Sequence, residues 1–286
     1  MTTASLGFQP LGATLMAVAF AGVLVRPASA DFISSTLGTA ENWAVLGSGN
    51  VTMTGGSVAG NVGIGFGNFT LTGGTINGAA EVAPGVTVTQ AGGTVTGGIF
   101  TSQNAASAAS AAAAASNTFA KLAATQIFGT ISGTTTITLT SGLNVIDLSG
   151  ITLTGQTLTL QGPAGSEVVL NDTGGMTLTS SRIVLTGGLL ASDVVFNDTG
   201  AGGVTMTGGE LNGTILAPNA TVSSGNINGE IFGGKGVTLT SGNIVGAPGP
   251  IIGAGLPAFA FLGGGFLLAR RLRRRTEREQ LAPASP

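Results

Sequence analysis

Few side chains in this chain of 286 residues could do chemistry. It has no cysteine, histidine or tyrosine, which excludes thiol nucleophiles, imidazole bases, Cys or His metal ligands and Ser-His-Asp triads. Hydrolysis by a pair of carboxylates, as in glycosidases, is the enzymatic chemistry that remains. The acids of the central region are scattered: Asp147, Glu167, Asp172, Asp193, Asp198, Glu210 and Glu230. We interpret them as turn and surface residues, so the sequence predicts no enzyme, no metal site and no cofactor.

Threonine hydroxyls are the other recurrent chemical group, and they come in Thr-x-Thr steps. Threonines two residues apart on a strand lie about 6.6 Å apart, and stacked strands repeat at about 4.8 Å. Aligned steps would form a two-dimensional lattice of hydroxyl and methyl groups on which ordered water could anchor. A second interpretation stays open, because threonine is also favoured on any half-exposed strand. The candidate residues of this face are Thr52, Thr54, Thr70, Thr72, Thr87, Thr89, Thr205, Thr207, Thr238 and Thr240.

The steps belong to a longer phrase that the chain repeats: a Val-Thr-x-Thr step, a glycine pair and an apolar run. The phrase starts at Val51, Phe69 and Val86, at a spacing of about 18 residues. A second echo, VVLNDTGG from Val168 and VVFNDTGAGG from Val194, returns after 26 residues. A short period of strand and turn units is typical of a solenoid. The alternation of threonine with aliphatic residues predicts strands with one buried and one polar side.

One segment interrupts the strand pattern. Residues 102–125 are rich in alanine and lack glycine and proline, with an N-cap residue at or just before Ser102. We predict a helix about 36 Å long that lies along the solenoid axis. Its small side chains would approach a sheet closely, with Phe119 and Leu122 docked more deeply. The predicted fold is mainly β: an irregular right-handed β-solenoid of about ten coils over residues 31–247, with this helix packed alongside.

Both ends of the chain carry segments typical of export. An apolar run of 15 residues, 11–25, precedes the small triplet Ala28-Ser29-Ala30. This predicts a signal peptide over residues 1–30, with an N-terminal membrane anchor as the alternative. Near the other end, residues 251–269 are uncharged and long enough to cross a bilayer as a C-terminal transmembrane helix.

Arginines follow this second apolar stretch, and the positive-inside tendency places them in the cytoplasm and the body outside the inner membrane. Residues 248–286 resemble a PEP-CTERM sorting signal of Gram-negative bacteria, with Gly249 where the usual motif has glutamate. The resemblance implies that a sorting protease processes the tail and that the body reaches the cell surface or extracellular matrix. A permanent inner-membrane anchor is the alternative. The residues of the predicted signal are Pro248, Gly249, Pro250, Arg270, Arg271, Arg273, Arg274 and Arg275.

Two further resemblances concern the body. The order of strands, one long helix and more strands is similar to the ice-binding β-helix family, as are the segments 45–48 and 60–65 at the start of the body. Near the other end, residues 215–220 followed by 226–229 resemble the choice-of-anchor A family of surface proteins. Both resemblances imply a β-solenoid, but they imply different functions.

The sequence therefore supports two functional hypotheses. The first is an exported, non-catalytic cell-surface or extracellular-matrix protein with a structural or adhesive role. The second is ice binding through a flat Thr-x-Thr face. The expected partners are the export machinery, the sorting protease and the membrane, with polysaccharide, other surface proteins or ice as ligands. Nucleic acid is disfavoured, because Asp31 to Gly246 hold ten acids against three bases.

Overall fold

A computed structural model describes residues 32–246. Their strands pair in parallel and recur in groups of three, so the chain winds as a β-solenoid with three faces. This confirms the mainly β, solenoid-like fold, while its right hand stays a prediction. No helix within the described residues is both long and apolar enough to cross a membrane. The predicted signal peptide at 1–30, transmembrane stretch at 251–269 and sorting signal at 248–286 lie outside the described residues.

The first stack of coils follows a short helix, α1 (Phe32–Leu37), and a 3₁₀ turn (Gly38–Asn42). Its strands are β1 (Val45–Gly47), β2 (Asn50–Met53), β3 (Ser57–Ala59), β4 (Val62–Ile64), β5 (Asn68–Leu71), β6 (Thr75–Ile76), β7 (Ala80–Val82), β8 (Thr87–Gln90), β9 (Thr94–Val95) and β10 (Ile99–Thr101). The long helix α2 (Asn104–Phe119) comes next.

The second stack follows α2. Its strands are β11 (Gln126–Ile127), β12 (Thr135–Thr138), β13 (Leu143–Leu148), β14 (Ile151–Thr154), β15 (Thr157–Gln161), β16 (Glu167–Asp172), β17 (Met176–Thr186), β18 (Val194–Asp198), β19 (Val204–Asn212), β20 (Thr214–Ala217), β21 (Thr221–Ser224), β22 (Asn226–Asn228), β23 (Ile231–Gly233), β24 (Gly236–Leu239) and β25 (Asn243–Val245). A second 3₁₀ turn (Ala191–Asp193) precedes β18.

The coils are not stacked in chain order. The sheet on the helix-covered face runs β10-β7-β4-β1-β23-β20-β18-β16-β13-β11, and its ten strands confirm the prediction of about ten coils. The first stack therefore grows from the middle of the solenoid to one end. Helix α2 then carries the chain along this sheet toward the far end, and the second stack returns to the middle. We call the junction where β1, β2 and β3 pair with β23, β24 and β25 the waist.

Two apolar clusters hold the fold together. The larger fills the solenoid interior, and the smaller lies between the helix-covered sheet, α1 and α2. Among the described residues, every member of both clusters lies between Ile33 and Ile244. Residues 31–246 therefore contain the whole described core and form a natural unit for expression.

The alanines of α2 let the helix approach the sheet closely, as predicted. Ala105, Ala108 and Ala112 are buried against it, and Phe119 is fully buried at the end of the helix. A small residue lies opposite the helix too: a Cβ added to Gly65, directly after β4, would lie 3.0 Å from the Ala109 Cβ. This contact leaves no room for a larger side chain on either side.

The predicted helix, 102–125, is too long at both ends. At its start, the Ser102 hydroxyl donates to Glu81 Oε2 at 2.6 Å and accepts the Asn104 amide at 3.2 Å, while the residue before Ser102 still belongs to β10. At its end the chain tightens after Phe119, and the Thr125 amide donates to the Val145 carbonyl at 2.7 Å. Pairing with the sheets at both ends therefore overrides the helical propensity of the flanking residues.

Two stacked asparagines complete the carboxyl end of α2. Asn197 Nδ2 donates to the Ser116 carbonyl at 3.2 Å and to Asn171 Oδ1 at 2.8 Å, and Asn171 Nδ2 donates to the Phe119 carbonyl at 3.1 Å. The Ser116 carbonyl also accepts the Ala120 amide at 2.9 Å, so the asparagine side chains add hydrogen bonds at a helix end, where backbone donors run out. Asn171 and Asn197 stand opposite each other in β16 and β18, which confirms the 26-residue echo.

Candidate ligand-binding face

One face of the solenoid carries the predicted threonines. In stacking order its strands are β8, β5, β2, β24, β21 and the first parts of β19, β17 and β14. Side chains alternate on each of them: in β2, Val51 and Met53 are buried and Thr52 lies outside. A β-branched residue suits the outer side of a pleated strand. We call the outward surface of these strands the threonine face.

Eight hydroxyl side chains form one continuous row across this face. The row runs Thr89, Thr70, Thr52, Thr238, Ser223, Thr205, Thr177 and Thr152, each paired with the next in the sheet register. At about 4.8 Å per strand the row is about 34 Å long. It crosses the waist between Thr52 and Thr238, so residues from the two ends of the body lie side by side.

A second row lies two residues further along the same strands. Its members are Thr72, Thr54, Thr240, Thr207, Thr179 and Thr154. The hydrogen bond from the Thr54 amide to the Leu239 carbonyl, 2.8 Å, extends the pairing of β2 with β24 into this row. The row is interrupted beside Ser223, because the residue two positions later is Gly225. The two rows together repeat at about 4.8 Å by about 6.6 Å.

The structure corrects the position of one predicted step. Thr89 stands opposite Thr70, whereas Thr87 stands opposite Asn68 and therefore lies outside the two rows. The glycine pair at the corner sets the register rather than the first threonine of the step. Three residues before Gly92 is Thr89, just as three residues before Gly73 is Thr70. The other nine predicted threonines fall in the two rows.

Sequence reasoning missed five members of the rows: Thr152, Thr154, Thr177, Thr179 and Ser223. Their strands were expected, but the coils that carry them have irregular lengths and escape the 18-residue repeat. A usable signal was present, because a glycine stands two residues before Thr152, Thr177, Thr205 and Thr238. That glycine marks the corner at which each strand enters the face.

The rows are chemically uniform and turned to the outside. Within residues 32–246, none of their hydroxyl groups hydrogen-bonds to another protein group. The eight strand segments of the face contain no charged residue. The hydroxyls are therefore available to an external partner instead of linking neighbouring strands.

The buried acids serve the turns. Asp172 and Asp198 stand opposite each other, and their Oδ1 atoms accept the amides of Gly174 at 2.9 Å and Gly200 at 3.0 Å. Burial raises the pKa of both carboxyls, that of Asp172 to about 6, where the charge of Asp198 adds to the effect. Within the described residues no three acids gather into a group that could hold a metal ion. These contacts fit the turn role that the sequence favours.

Glu230 is a strongly perturbed buried acid. It is buried beneath the N-terminal 3₁₀ turn, and its Oε1 atom has no hydrogen-bond partner. Burial, together with a smaller contribution from the nearby Glu41 carboxylate, raises the pKa of Glu230 to about 9. The side chain lines a narrow cavity together with Leu37, Ala40 and Trp43.

Comparison with known families identifies the family to which this architecture belongs. The model of the ice-binding-like adhesive domain matches residues 55–244, about two thirds of the chain. The chain belongs to the ice-binding-like adhesive domain family. This membership confirms the predicted likeness to ice-binding β-helix proteins. The predicted likeness to the choice-of-anchor A family and to PEP-CTERM signals stays a prediction.

Solved structures share the fold of this ice-binding-like domain. An ice-binding protein of the Antarctic ascomycete Antarctomyces psychrotrophicus is 24% identical over 74% of this chain and 97% of its own, with a TM-score of 0.54. One from an Antarctic Flavobacteriaceae bacterium is 23% identical over 77% of this chain and 48% of its own, at 0.58. A glycosylated ice-binding protein from an Arctic yeast is 18% identical over 76% and 96%, at 0.55. No protein of curated function matches in sequence.

Proposed function

We propose that this protein is a non-catalytic, exported ice-binding protein and that the threonine face is its binding surface. The observation that carries the proposal is the pair of aligned rows, which present hydroxyl groups without protein partners on an uncharged surface. The names of the solved structures that share the fold support the same function.

The physical argument rests on regularity. A crystal surface repeats in two dimensions, so a protein that binds it needs groups that also repeat in two dimensions. The rows offer hydroxyls and methyls at about 4.8 Å by about 6.6 Å on a parallel sheet, whose inter-strand hydrogen bonds are evenly spaced. Charged side chains, which would hold mobile hydration water, are missing from these strands.

The two terminal segments support a location outside the cell. We propose that the signal peptide at residues 1–30 directs export and that the PEP-CTERM-like segment 248–286 holds or sorts the protein at the cell envelope. Choice-of-anchor A proteins, which the region around Ile215 resembles, are surface proteins as well. An exported protein meets ice outside the cell, where extracellular ice grows.

An adhesive or structural role on the cell surface is the second candidate. The family description, an ice-binding-like adhesive domain, supports it. The threonine face could then contact polysaccharide or another surface protein. In that case the protein would not bind ice, and cell attachment would be the property to measure.

The test is an ice-affinity and recrystallisation-inhibition assay on residues 31–246. We expect activity in the parent, and its loss in the double variant Thr205→Tyr, Thr207→Tyr, because two bulky rings break both rows in one coil. The matched control is Thr136→Tyr with Thr138→Tyr, an exposed pair at the same spacing on β12 of another face.

Three outcomes decide between the candidates. Activity that survives in the control and disappears in the Thr205 and Thr207 variant supports ice binding through this face. An equal loss of activity in both variants would mean that the substitutions disturb folding, which circular dichroism would reveal. A parent without activity at micromolar concentration would overturn ice binding and leave the adhesive role.

A further inference from the structure

The two ends of the solenoid differ in how they are closed. At the end that begins the second stack, Ile131, Ile137 and Leu139 of the terminal coil are buried. At the other end, no residue from 84 to 101 is buried, although this segment forms a complete coil with a strand on each face. We call residues 84–101 the open coil.

The open coil exposes apolar side chains that lie at the end of the solenoid interior. Val88 stands opposite the fully buried Phe69, yet 39% of its surface is exposed. Val86, Val95 and Ile99 also pack on the interior cluster while remaining partly exposed. Among the described residues nothing lies on their far side, so a further layer of strands would bury them.

The backbone of the open coil is equally ready to pair. Strands β8, β9 and β10 are the outermost strands of their sheets, with a neighbour on one side only. Native proteins protect such edges with lysine and other charges, which block the approach of a second strand. The sequence from residue 82 to residue 120 contains no charged residue at all. This edge therefore lacks the usual defence against pairing.

We propose that the open coil is a docking surface for a second copy of this chain, and that two copies join end to end about a twofold axis. A twofold contact uses the same surface on both partners and closes after two copies. At the far end the strands β11 and β12 are also edges, but Ile131, Ile137 and Leu139 are already buried there, which disfavours head-to-tail growth.

The side-chain pattern sets the register of this contact. Around a twofold axis two β8 strands run antiparallel, and directly opposite residues must point to the same side of the sheet. With Val88 opposite its own copy, both valines face the interior and Thr87 stands opposite the partner's Thr89. The threonine faces of the two copies would then join into one longer surface. The contact itself does not require that this surface binds ice.

The first experiment measures the mass of residues 31–246 by light scattering over a range of micromolar concentrations. We expect a mass twice that of one chain. Val88→Lys places a charge on the edge and should give the single-chain mass. The control Val245→Lys changes a valine, 49% exposed, on the inner strand β25, which has neighbours on both sides, and should leave the dimer intact. Circular dichroism checks that each variant is folded.

A cross-link tests the register without disturbing the edge. The chain contains no cysteine, so Val88→Cys introduces a single thiol. Directly opposite residues on antiparallel strands have Cα atoms about 4.5–5.5 Å apart, within disulfide range. We expect mild oxidation to link Val88→Cys into a dimer at least tenfold faster than Val245→Cys.

Three results would overturn the proposal. One is a parent that stays monomeric at every concentration and a Val88→Cys variant that oxidises no faster than its control. Another is a set of larger polymers, which would mean head-to-tail association. The third is a dimer that disappears when residues 247–286 are included, because the tail would then cover the open coil itself.

Discussion

At the scale of single residues, Glu230 makes the stability of the fold depend on pH. Its pKa of about 9 lies above the value of about 4.5 expected for an exposed glutamate, so the folded protein holds a proton that the unfolded chain releases. The stabilising effect of this proton is complete below about pH 4.5 and is lost as the pH rises toward 9. Each pH unit in that window changes the free energy of unfolding by about 1.4 kcal/mol.

The first prediction concerns Glu230→Gln. Glutamine keeps the shape of the protonated acid and cannot ionise, so we expect the variant to be more stable than the parent at pH 8. The advantage should shrink as the pH falls toward 5. Chemical denaturation of both proteins between pH 5 and 9 measures it, and the titration of Asp172, whose pKa is about 6, is common to both and cancels in the difference. Glu210→Gln, which changes an exposed glutamate in the same way, is the control for charge removal. Parallel pH profiles for parent and Glu230→Gln would contradict the assignment.

The threonine rows illustrate what sequence can establish about single residues. Nine of the ten predicted threonines lie in the rows, because the Thr-x-Thr step and the pleat together define an outer side. Thr87 was misplaced since its coil has two additional residues, Gln90 and Ala91, before the glycine pair. The capping role of Asn171 and Asn197 was out of reach, because it depends on where α2 ends in space.

At the scale of elements, α2 packs closely on the sheet because its buried side chains are small. A helix normally rests on a sheet through large apolar residues, yet this one uses alanines and touches glycine-bearing strands. Such packing has little tolerance for added volume, because the backbones themselves are near contact. The helix also supports the cluster that includes α1 and Trp43.

Ala112→Leu tests this close packing. Ala112 is fully buried, so we expect the larger side chain to displace α2 and lower the free energy of unfolding by about 1–3 kcal/mol. Ala114→Leu adds the same atoms to an exposed position of the same helix and should change stability by less than about 0.5 kcal/mol. Thermal and denaturant unfolding compare the pair. Equal effects of the two substitutions would mean that the helix is loosely attached.

At the scale of the whole molecule, the stacking order changes how the solenoid holds together. In a simple solenoid each coil contacts the coils next to it in sequence, and removal of a terminal coil costs one interface. Here the last coil in sequence is an inner layer: β23 pairs with β1 on one side and with β20 on the other. Sequence periodicity predicts coils but carries no information on which coils become neighbours, so this order could not be predicted.

Truncation after residue 230 therefore has a larger effect than its length implies. Without β23, β24 and β25 the two stacks lose all strand pairing at the waist, and we expect the chain to lose its single cooperative unfolding transition. The control deletes residues 83–101, an outer coil; Val82 then joins Ser102 in register, because β10 ends opposite Val82. That variant should still unfold in one step. Calorimetry distinguishes the two, and a cooperative transition in the truncated chain would contradict the importance of the waist.

The position of the last strand also determines how the domain would bear mechanical load. Strand β25 lies between β22 and β3, so the chain leaves the described fold at the waist and not at an end of the stack. A force applied through a C-terminal tether would have to shear β25 from two neighbours at once, whereas an outer strand would peel from one. A domain fastened in this way would resist being pulled apart by a growing crystal or a moving cell.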